Sequence, residues 1–328
     1  MRHLFTSLEE ARFPKEKNVH LAIGKFDGVH RGHQRVLSAA KKRALADGGL
    51  VAALTFTPHP SRVLRPDKPS ELLVYPWEKI DLLFKYGADA VIEQPFNETV
   101  RNLEAKDFPE LLKRQIPNLK SIHIGENFRF GKGRGGSSRS LAQCAQPLGV
   151  DVEISPSITH GDEPVSSTRI RALLRCGRMH EANELMGRLY ETCGAVIKGK
   201  QLGRTIGFPT LNFVRDTETK PAYGVYLVTV HDPQTGVELP GVANYGLRPT
   251  VEKKAPQPIL EVHVLSENCP WGPGDVLCVR GHKFLRAEQK FPLLAALRQQ
   301  IEKDKAQAIA FFTKRAKRLA QTYPKKRS

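Results

Sequence analysis

A chain of 328 residues that is 40% hydrophobic is long enough for two domains, each with its own core. No apolar run approaches the roughly 18 residues that a membrane helix needs, and the opening MRHLFTSLEEARFPKEKN has acids and no apolar h-region, so it is not expected to act as a signal peptide. A net charge of +17 suits polyanionic partners but does not choose among nucleic acid, a membrane surface and phosphorylated small molecules.

From residue 19 the chain alternates apolar runs with amphipathic stretches. VHLAIG leads to a helix near 31–46. LVAALTF is a second strand, and a helix near 76–86 leads to ADAVIE. A helix near 104–114 leads to SIHIG, and one near 138–147 leads to VDVEI. Such alternation specifies an α/β domain with a parallel sheet covered by helices, closed by a helical stretch over 167–186. Ligands in these sheets bind beyond the carboxyl ends of the strands. After Gly187 short β-rich runs separated by Gly and Pro follow: TCGAVIKG, GVYLVTVHD, GVANYG, ILEVHVLS and DVLCVRG. They read as a small antiparallel barrel, with a final helix near 292–313 carrying Leu294, Leu297, Ile301, Ile309 and Phe312. The expected domains are 1–186 and 187–328.

At the end of the first run, Gly24 opens the segment G-K-F-D-G-V-H-R-G-H, with His30 and His33 three apart where a helix begins. The first amide N–H groups of a helix lack partners, and the dipole there favours an anion. Gly28 and Gly32 permit close approach of a phosphate to the backbone, and both imidazoles can donate to it. This spacing resembles the nucleotide-binding signature of the HxGH nucleotidyltransferases, most closely the bacterial FMN adenylyltransferases, with Lys25 where many members carry Asn. The resemblance places Gly24, Phe26, Asp27, Gly28 and Gly32 at ATP and makes His30 and His33 catalytic.

Further motifs follow in that family's order. VSSTRIR (165–171) puts Ser167, Thr168 and Arg171 at a helix start. By itself this is an ordinary capped helix with an arginine. By its likeness to the family's I-S-S-T-R-I-R it holds the ATP β- and γ-phosphates. GENFRFGKGRGG (125–136) is similar to the flavin-site G-x-[DN]-F-R-F-G, which implies that Asn127, Phe128 and Arg129 meet the flavin. In LTFTPHP, His59 either lines that cleft or packs in its own turn. The implied reaction is attack of the FMN phosphate on the α-phosphorus of ATP, with Mg²⁺ and without a nucleophilic side chain.

In the second half, GKQLGRTIGFPTLNF (199–213) resembles the riboflavin kinase motif G-R-x-x-G-[FI]-P-T-x-N. Gly199, Gly203 and Gly207 let backbone amides turn toward phosphate in a non-Walker cradle, and Lys200 and Arg204 join Gly199 and Gly207 as expected phosphate-binding residues. Pro209 fixes the backbone so that Thr210 and Asn212 face one way, as oxygen ligands suited to Mg²⁺. Glu261 in L-E-V-H matches the family's catalytic glutamate, the base for the ribityl hydroxyl, against the alternative of a plain strand glutamate. FLRAEQKF (284–291) is similar to F-[IL]-R-D-E-x-K-F, with Ala287 in place of Asp, and gives Arg286 a flavin contact. Together the motifs point to the bifunctional riboflavin kinase/FMN adenylyltransferases, with riboflavin, FMN, FAD and ATP as substrates and products.

The five cysteines, Cys144, Cys176, Cys193, Cys269 and Cys278, are scattered and form no C-x-x-C. The expectation is reduced thiols in a cytoplasm, without a zinc site or a disulfide framework. The basic end TKRAKRLAQTYPKKRS suggests a nucleic-acid module as an alternative, but no RRM or KH signature accompanies it. An HxGH transferase with another acceptor, or a flavin binder without turnover, remains the other reading. No specific nucleic acid, membrane or oligomer is specified.

Overall fold

The structure, a computed structural model, describes residues 2–199, 203, 207–214, 218–247 and 258–322. It divides into two compact units, Met1–Ile170 and Arg171–Ser328.

The first unit is built on a six-stranded parallel sheet. Its strands are β1 (His3–Phe5), β2 (Val19–Ile23), β3 (Leu50–Thr57), β4 (Ala90–Pro95), β5 (Leu119–Gly125) and, after two short paired strands β6 (Arg129–Phe130) and β7 (Gly136–Ser137), β8 (Asp151–Ser155). The order is β1-β4-β3-β2-β5-β8. Five of these strands follow the apolar runs of the sequence. The edge strand β1 has only three residues and no pattern to announce it; it is held by parallel pairing of His3, Leu4 and Phe5 with Ala90, Val91 and Ile92. A further small hairpin, β9 (Thr159–His160) with β10 (Glu163–Pro164), precedes the last helix of the unit.

β2 lies in the middle and is buried at every position, as a parallel strand covered on both faces must be. Its alternate residues feed two cores. Leu21 and Ile23 join Leu54, Ile92, Ile122 and Leu141 on one face, while Ala22 joins Phe26, Leu37, Leu83 and Val91 on the other. Helix α1 (Arg31–Asp47) buries Val36, Leu37, Ala40 and Ala44, and stops where Gly48 turns left-handed at φ 68. The covering helices continue with α2 (Pro60–Leu64), α3 (Pro76–Lys85), α4 (Glu98–Asn102), α5 (Phe108–Gln115) and α6 (Ser138–Ala145). The carboxyl ends of β2, β3 and β5 thus bring the H-x-G-H turn, the T-P-H-P segment and the E-N-F-R-F segment to one edge of the sheet.

The helical stretch expected over 167–186 is two helices, α7 (Ser167–Arg175) and α8 (Met179–Met186). Gly177 breaks it at φ 73, and a Cβ there would stand 3.0 Å from the ring of Phe284. The division between the two units falls within α7.

The second unit is a closed antiparallel barrel. Its strands are β11 (Tyr190–Ile197), β12 (Leu211–Val214), β13 (Gly224–His231), β14 (Glu238–Leu247), β15 (Pro258–Val264) and β16 (Val276–Ala287), in the order β11-β12-β15-β14-β13-β16. Tyr190, Tyr226, Val228, Tyr245, Leu260 and Val279 fill its interior. Helix α9 (Leu294–Thr322) packs Phe311 and Phe312 edge-on against His282. It continues past residue 313, where the apolar stripe ends.

One expectation is overturned here. Cys193 on β11 and Cys278 on β16 are directly opposed in register, with Cα atoms 4.0 Å apart, and form a disulfide. The two are 85 residues apart in sequence, so only the closure of the barrel reveals the pair. Cys144, Cys176 and Cys269 are free.

Candidate active sites

In the first unit the chain between β2 and α1 is compressed into a turn of unusual backbone. Phe26, Gly28 and Val29 all have positive φ, at 53, 76 and 38. For a β-branched residue such as Val29 this costs free energy and persists only where the surroundings hold it. They do: Phe26 and Val29 are buried, and Asp27 accepts the Leu73 N–H at 2.9 Å through its carboxylate. The Asp27 carbonyl accepts the hydroxyl of Ser167 at 2.9 Å, which ties the start of α7 to the turn. The glycines are needed for protein packing as well as for any ligand. A Cβ on Gly28 would stand 2.7 Å from Leu73, on Gly24 3.2 Å from the Phe26 ring, and on Gly32 3.1 Å from the His30 ring.

This turn delivers His30 and His33 as a stacked pair, ring centroids 3.7 Å apart and planes within 16°, with Phe26 edge-on to His33 at 5.3 Å. His30 is the N-cap residue of α1 and gives no side-chain cap, so the first amides of a 17-residue helix stay available beside the rings. Nδ1 of both histidines is buried without a hydrogen-bond partner. Burial pushes His30 down to about 4. Burial, then the neighbouring His30 and the Lys25 charge, hold His33 well below its ordinary value. Both are therefore neutral at pH 7, and an arriving polyanion favours their protonation.

The other sequence candidates of this unit fall into two groups. Ser167 is joined to the turn as described, and Thr168 follows it in the first turn of α7. His59 caps α2: its ring accepts the Ser61 N–H at 3.2 Å and lies 2.7 Å from the Ser61 hydroxyl. Asn127 is exposed and donates to Ser157 at 3.1 Å. Phe128 stacks on Phe130 at 5.6 Å, and Arg129 is exposed and donates to the Phe128 carbonyl at 3.0 Å. Sequence reasoning missed a buried cation close enough to feel the charge of Asp27. Lys79, buried on α3, donates to the Phe56 carbonyl at 3.3 Å and pairs with Glu93 at 3.8 Å. Burial lowers its pKa, while Glu93 and Asp27 oppose that. Arg171 lies later on α7, beyond the division of the units.

In the second unit the candidate residues meet through register. Asn212 on β12 opposes Glu261 on β15, and Glu261 opposes Asn244 on β14. Directly opposed residues project from the same face, so three polar side chains form a row. Asn212 is buried and donates to the carbonyl and hydroxyl of Thr210 at 3.2 and 3.4 Å. Gly199 passes directly over it; a Cβ there would stand 2.5 Å from the Asn212 amide. Gly207 takes φ 87, open only to glycine at little cost. The carbonyl of Pro209 is held by Nδ1 of His263 at 2.9 Å. Lys200 and Arg204 lie outside the described residues.

Asn244 was not singled out by sequence reasoning. It donates to Glu288 at 3.3 Å. The signal was present in V-A-N-Y-G, where alternation puts a polar residue between buried Ala243 and Tyr245. Arg286 gives its guanidinium to Asp304 of α9 at 2.7 and 3.1 Å, and Asp304 is buried. Among the described residues, no helix is long and apolar enough to cross a membrane.

The sequence pattern of the FAD synthetase family matches residues 13–169, and that of riboflavin kinase matches residues 186–312. The chain is 36% identical over 298 residues to the bifunctional riboflavin kinase/FMN adenylyltransferase of Bacillus subtilis, covering 89% of this chain and 92% of that one. It is 35% identical over 296 residues to the protein of that name in Escherichia coli, with coverage of 89% and 92%. Among solved structures, one titled as a macrolide-efflux protein from Streptococcus pneumoniae superimposes with a TM-score of 0.83 at 26% identity, over 92% of this chain and 97% of that one. With both family patterns in the expected order and curated relatives matched over nearly their full length, the chain belongs to the bifunctional riboflavin kinase/FMN adenylyltransferases.

Proposed function

We propose that the two activities of the family, phosphorylation of riboflavin to FMN and adenylylation of FMN to FAD, are divided between residues 187–328 and 1–186 of this chain and run at the two sites described above. The observation that carries this reading is the pair of stacked, neutral imidazoles with buried, unpartnered Nδ1 atoms at the uncapped start of α1, in one unit, together with the Asn212–Glu261 row in the other.

In adenylyl transfer an FMN phosphate oxygen attacks the α-phosphorus of ATP and pyrophosphate leaves. The protein's task is to align two polyanions and offset their repulsion. Gly24, Phe26, Asp27, Gly28 and Gly32 shape the ATP turn. His30 and His33 take up a proton as the polyanion binds and donate hydrogen bonds to the phosphoryl oxygens. Ser167, Thr168 and Arg171 hold the β- and γ-phosphates. His59, Asn127, Phe128 and Arg129 border the flavin. The exposure of Asn127 and Arg129 leaves them accessible to a ligand.

In the kinase step the ribityl hydroxyl attacks the γ-phosphorus of ATP, and Glu261 takes its proton. Gly199, Lys200, Arg204 and Gly207 cradle the phosphates. Thr210 and Asn212, with Glu261 beside them, are hard oxygen donors of the kind Mg²⁺ prefers, so the residues fit that ion. Bound there, Mg²⁺ would neutralise charge on the transferring phosphate. Arg286, anchored by Asp304, is assigned to the flavin side. Both reactions use only small molecules, which agrees with a cytoplasmic enzyme.

Incubating the purified chain with riboflavin, ATP and Mg²⁺ and separating the flavins by chromatography tests this reading. FMN followed by FAD is expected; unchanged riboflavin rejects it.

A further inference from the structure

The outer face of the barrel carries a group of side chains that neither reaction uses. Tyr190, Thr192, Val279 and Gly281 line the interior. Side chains alternate along a strand, so Glu191 and Cys193 of β11 and Cys278 and Arg280 of β16 face outward. Register places Cys193 opposite Cys278, and on the other side of β16 it places His231 of β13 opposite Cys278. Three neighbouring strands thus contribute Cys193, Cys278 and His231 to one row, with Glu191 two residues along. The two sulfurs and a carboxylate oxygen of Glu191 lie within 4.8 Å of one another. Nδ1 of His231 is buried and has no hydrogen-bond partner.

We propose that, with the disulfide reduced, this row binds a thiophilic divalent cation of the zinc class. Cys193 and Cys278 supply two thiolates, Glu191 a carboxylate oxygen, and His231 a ring nitrogen after a side-chain rotation. Two sulfurs, a nitrogen and an oxygen make a tetrahedral donor set that zinc accepts. A dithiol reductant delivers two electrons and two protons to the Cys193–Cys278 bond and departs as its own disulfide. The cation then displaces the two thiol protons. A small-molecule disulfide reverses the order by thiol–disulfide exchange: it takes two electrons from the two thiolates and departs as its own dithiol, the cation leaves, and the two sulfurs rejoin. Glu191 now pairs with Arg280, but Arg280 also holds Glu238 at 2.7 Å, so Glu191 can turn to a cation without leaving Arg280 unpaired. In a reducing compartment the dithiol is the prevailing form. The absence of C-x-x-C from the sequence has no bearing on such a site, because its ligands meet through barrel closure.

The test uses the full chain with Cys144→Ser, Cys176→Ser and Cys269→Ser, so that only the pair remains. Oxidised and reduced samples are titrated anaerobically with Co²⁺, after counting free thiols. The reduced protein is expected to show two thiols and to take up cobalt with thiolate-to-cobalt charge-transfer absorption, which zinc abolishes. The oxidised protein shows neither. Cys193→Ser removes the band. His231→Ala weakens binding by at least the roughly 10–100-fold that even outer-shell partners are worth. Two free thiols without the charge-transfer band, equal cobalt uptake by the oxidised protein, or a disulfide that resists reduction in the folded chain each overturns the proposal. The comparison of oxidised with reduced protein holds even if Cys193→Ser fails to fold.

Discussion

The candidate site of the first unit runs almost continuously along the chain, from Gly24 to His33, and its shape is set by three positive-φ residues in one turn. The site of the second unit is assembled across strands: Asn212, Glu261 and Asn244 come from β12, β15 and β14 and meet only because the barrel closes in one register. The first stores backbone strain and unpartnered donors for a polyanion. The second keeps ordinary strand geometry and places a carboxylate between two amides. A locally encoded site fails through its turn, and a register-encoded site fails through its strands.

The sharpest way to break this contrast is to remove one reactive group from each site. Glu261→Gln is expected to lower FMN formation by about 10²–10⁴-fold, the usual worth of a general base, while FAD formation from supplied FMN is unchanged. Coupled assays of both steps on one preparation check it. His33→Ala is expected to do the converse, lowering FAD formation by about 10²–10³-fold, the cost of one preorganised donor, with riboflavin phosphorylation intact.

Acid separates the units by stability. Burial pushes His30 and His123 down to about 4 and holds His33 well below its ordinary value, all in the first unit. In the second, burial pushes His282 down to about 4 and lowers His263. An unfolded histidine takes its proton near 6.5, whereas the folded site refuses it until about 4. Folded stability is therefore complete above 6.5 and declines as pH falls toward 4, by up to about 3 kcal/mol for each fully shifted histidine. Calorimetry at pH 7 and pH 5 should show the first unit losing more than the second.

Gly28→Ala forces a Cβ onto Leu73 at φ 76 and is expected to destabilise the first unit by roughly 1–3 kcal/mol, read as a lowered melting temperature with the barrel transition unmoved. The smallest effect expected is that of His59→Ala, which removes the cap of α2 and should cost about 1 kcal/mol. A much larger loss of FAD formation than of stability would place that ring at the flavin.

The first unit was legible because its signals are local. An apolar run, a glycine-rich turn and an amphipathic helix occupy consecutive residues, and their spacing alone gives strand, turn and helix. What escaped was tertiary. The strand His3–Phe5 exists only because β4 offers an edge. The helix 167–186 breaks at Gly177, whose Cβ-free surface is needed by Phe284 more than a hundred residues away. Lys79 reaches from α3 to the carbonyl of Phe56 on β3, with nothing in its own neighbourhood to mark it. In the barrel, Thr210, Asn212 and Glu261 were readable as motifs and the facing of Asn244 as alternation, but the meeting of Asn244 with Glu261 and the pairing of Cys193 with Cys278 depend on register, which no single strand encodes.

Two separate sites can be tested by complementation. Glu261→Gln and His33→Ala proteins, each folded and each lacking one step, are mixed with riboflavin, ATP and Mg²⁺. FAD should form in the mixture at a rate approaching that of half the total enzyme, while either protein alone makes it slower by about the 100-fold or more lost at its impaired step. FAD formed no faster by the mixture than by either protein alone, with both proteins folded, would contradict the assignment of one reaction to each unit.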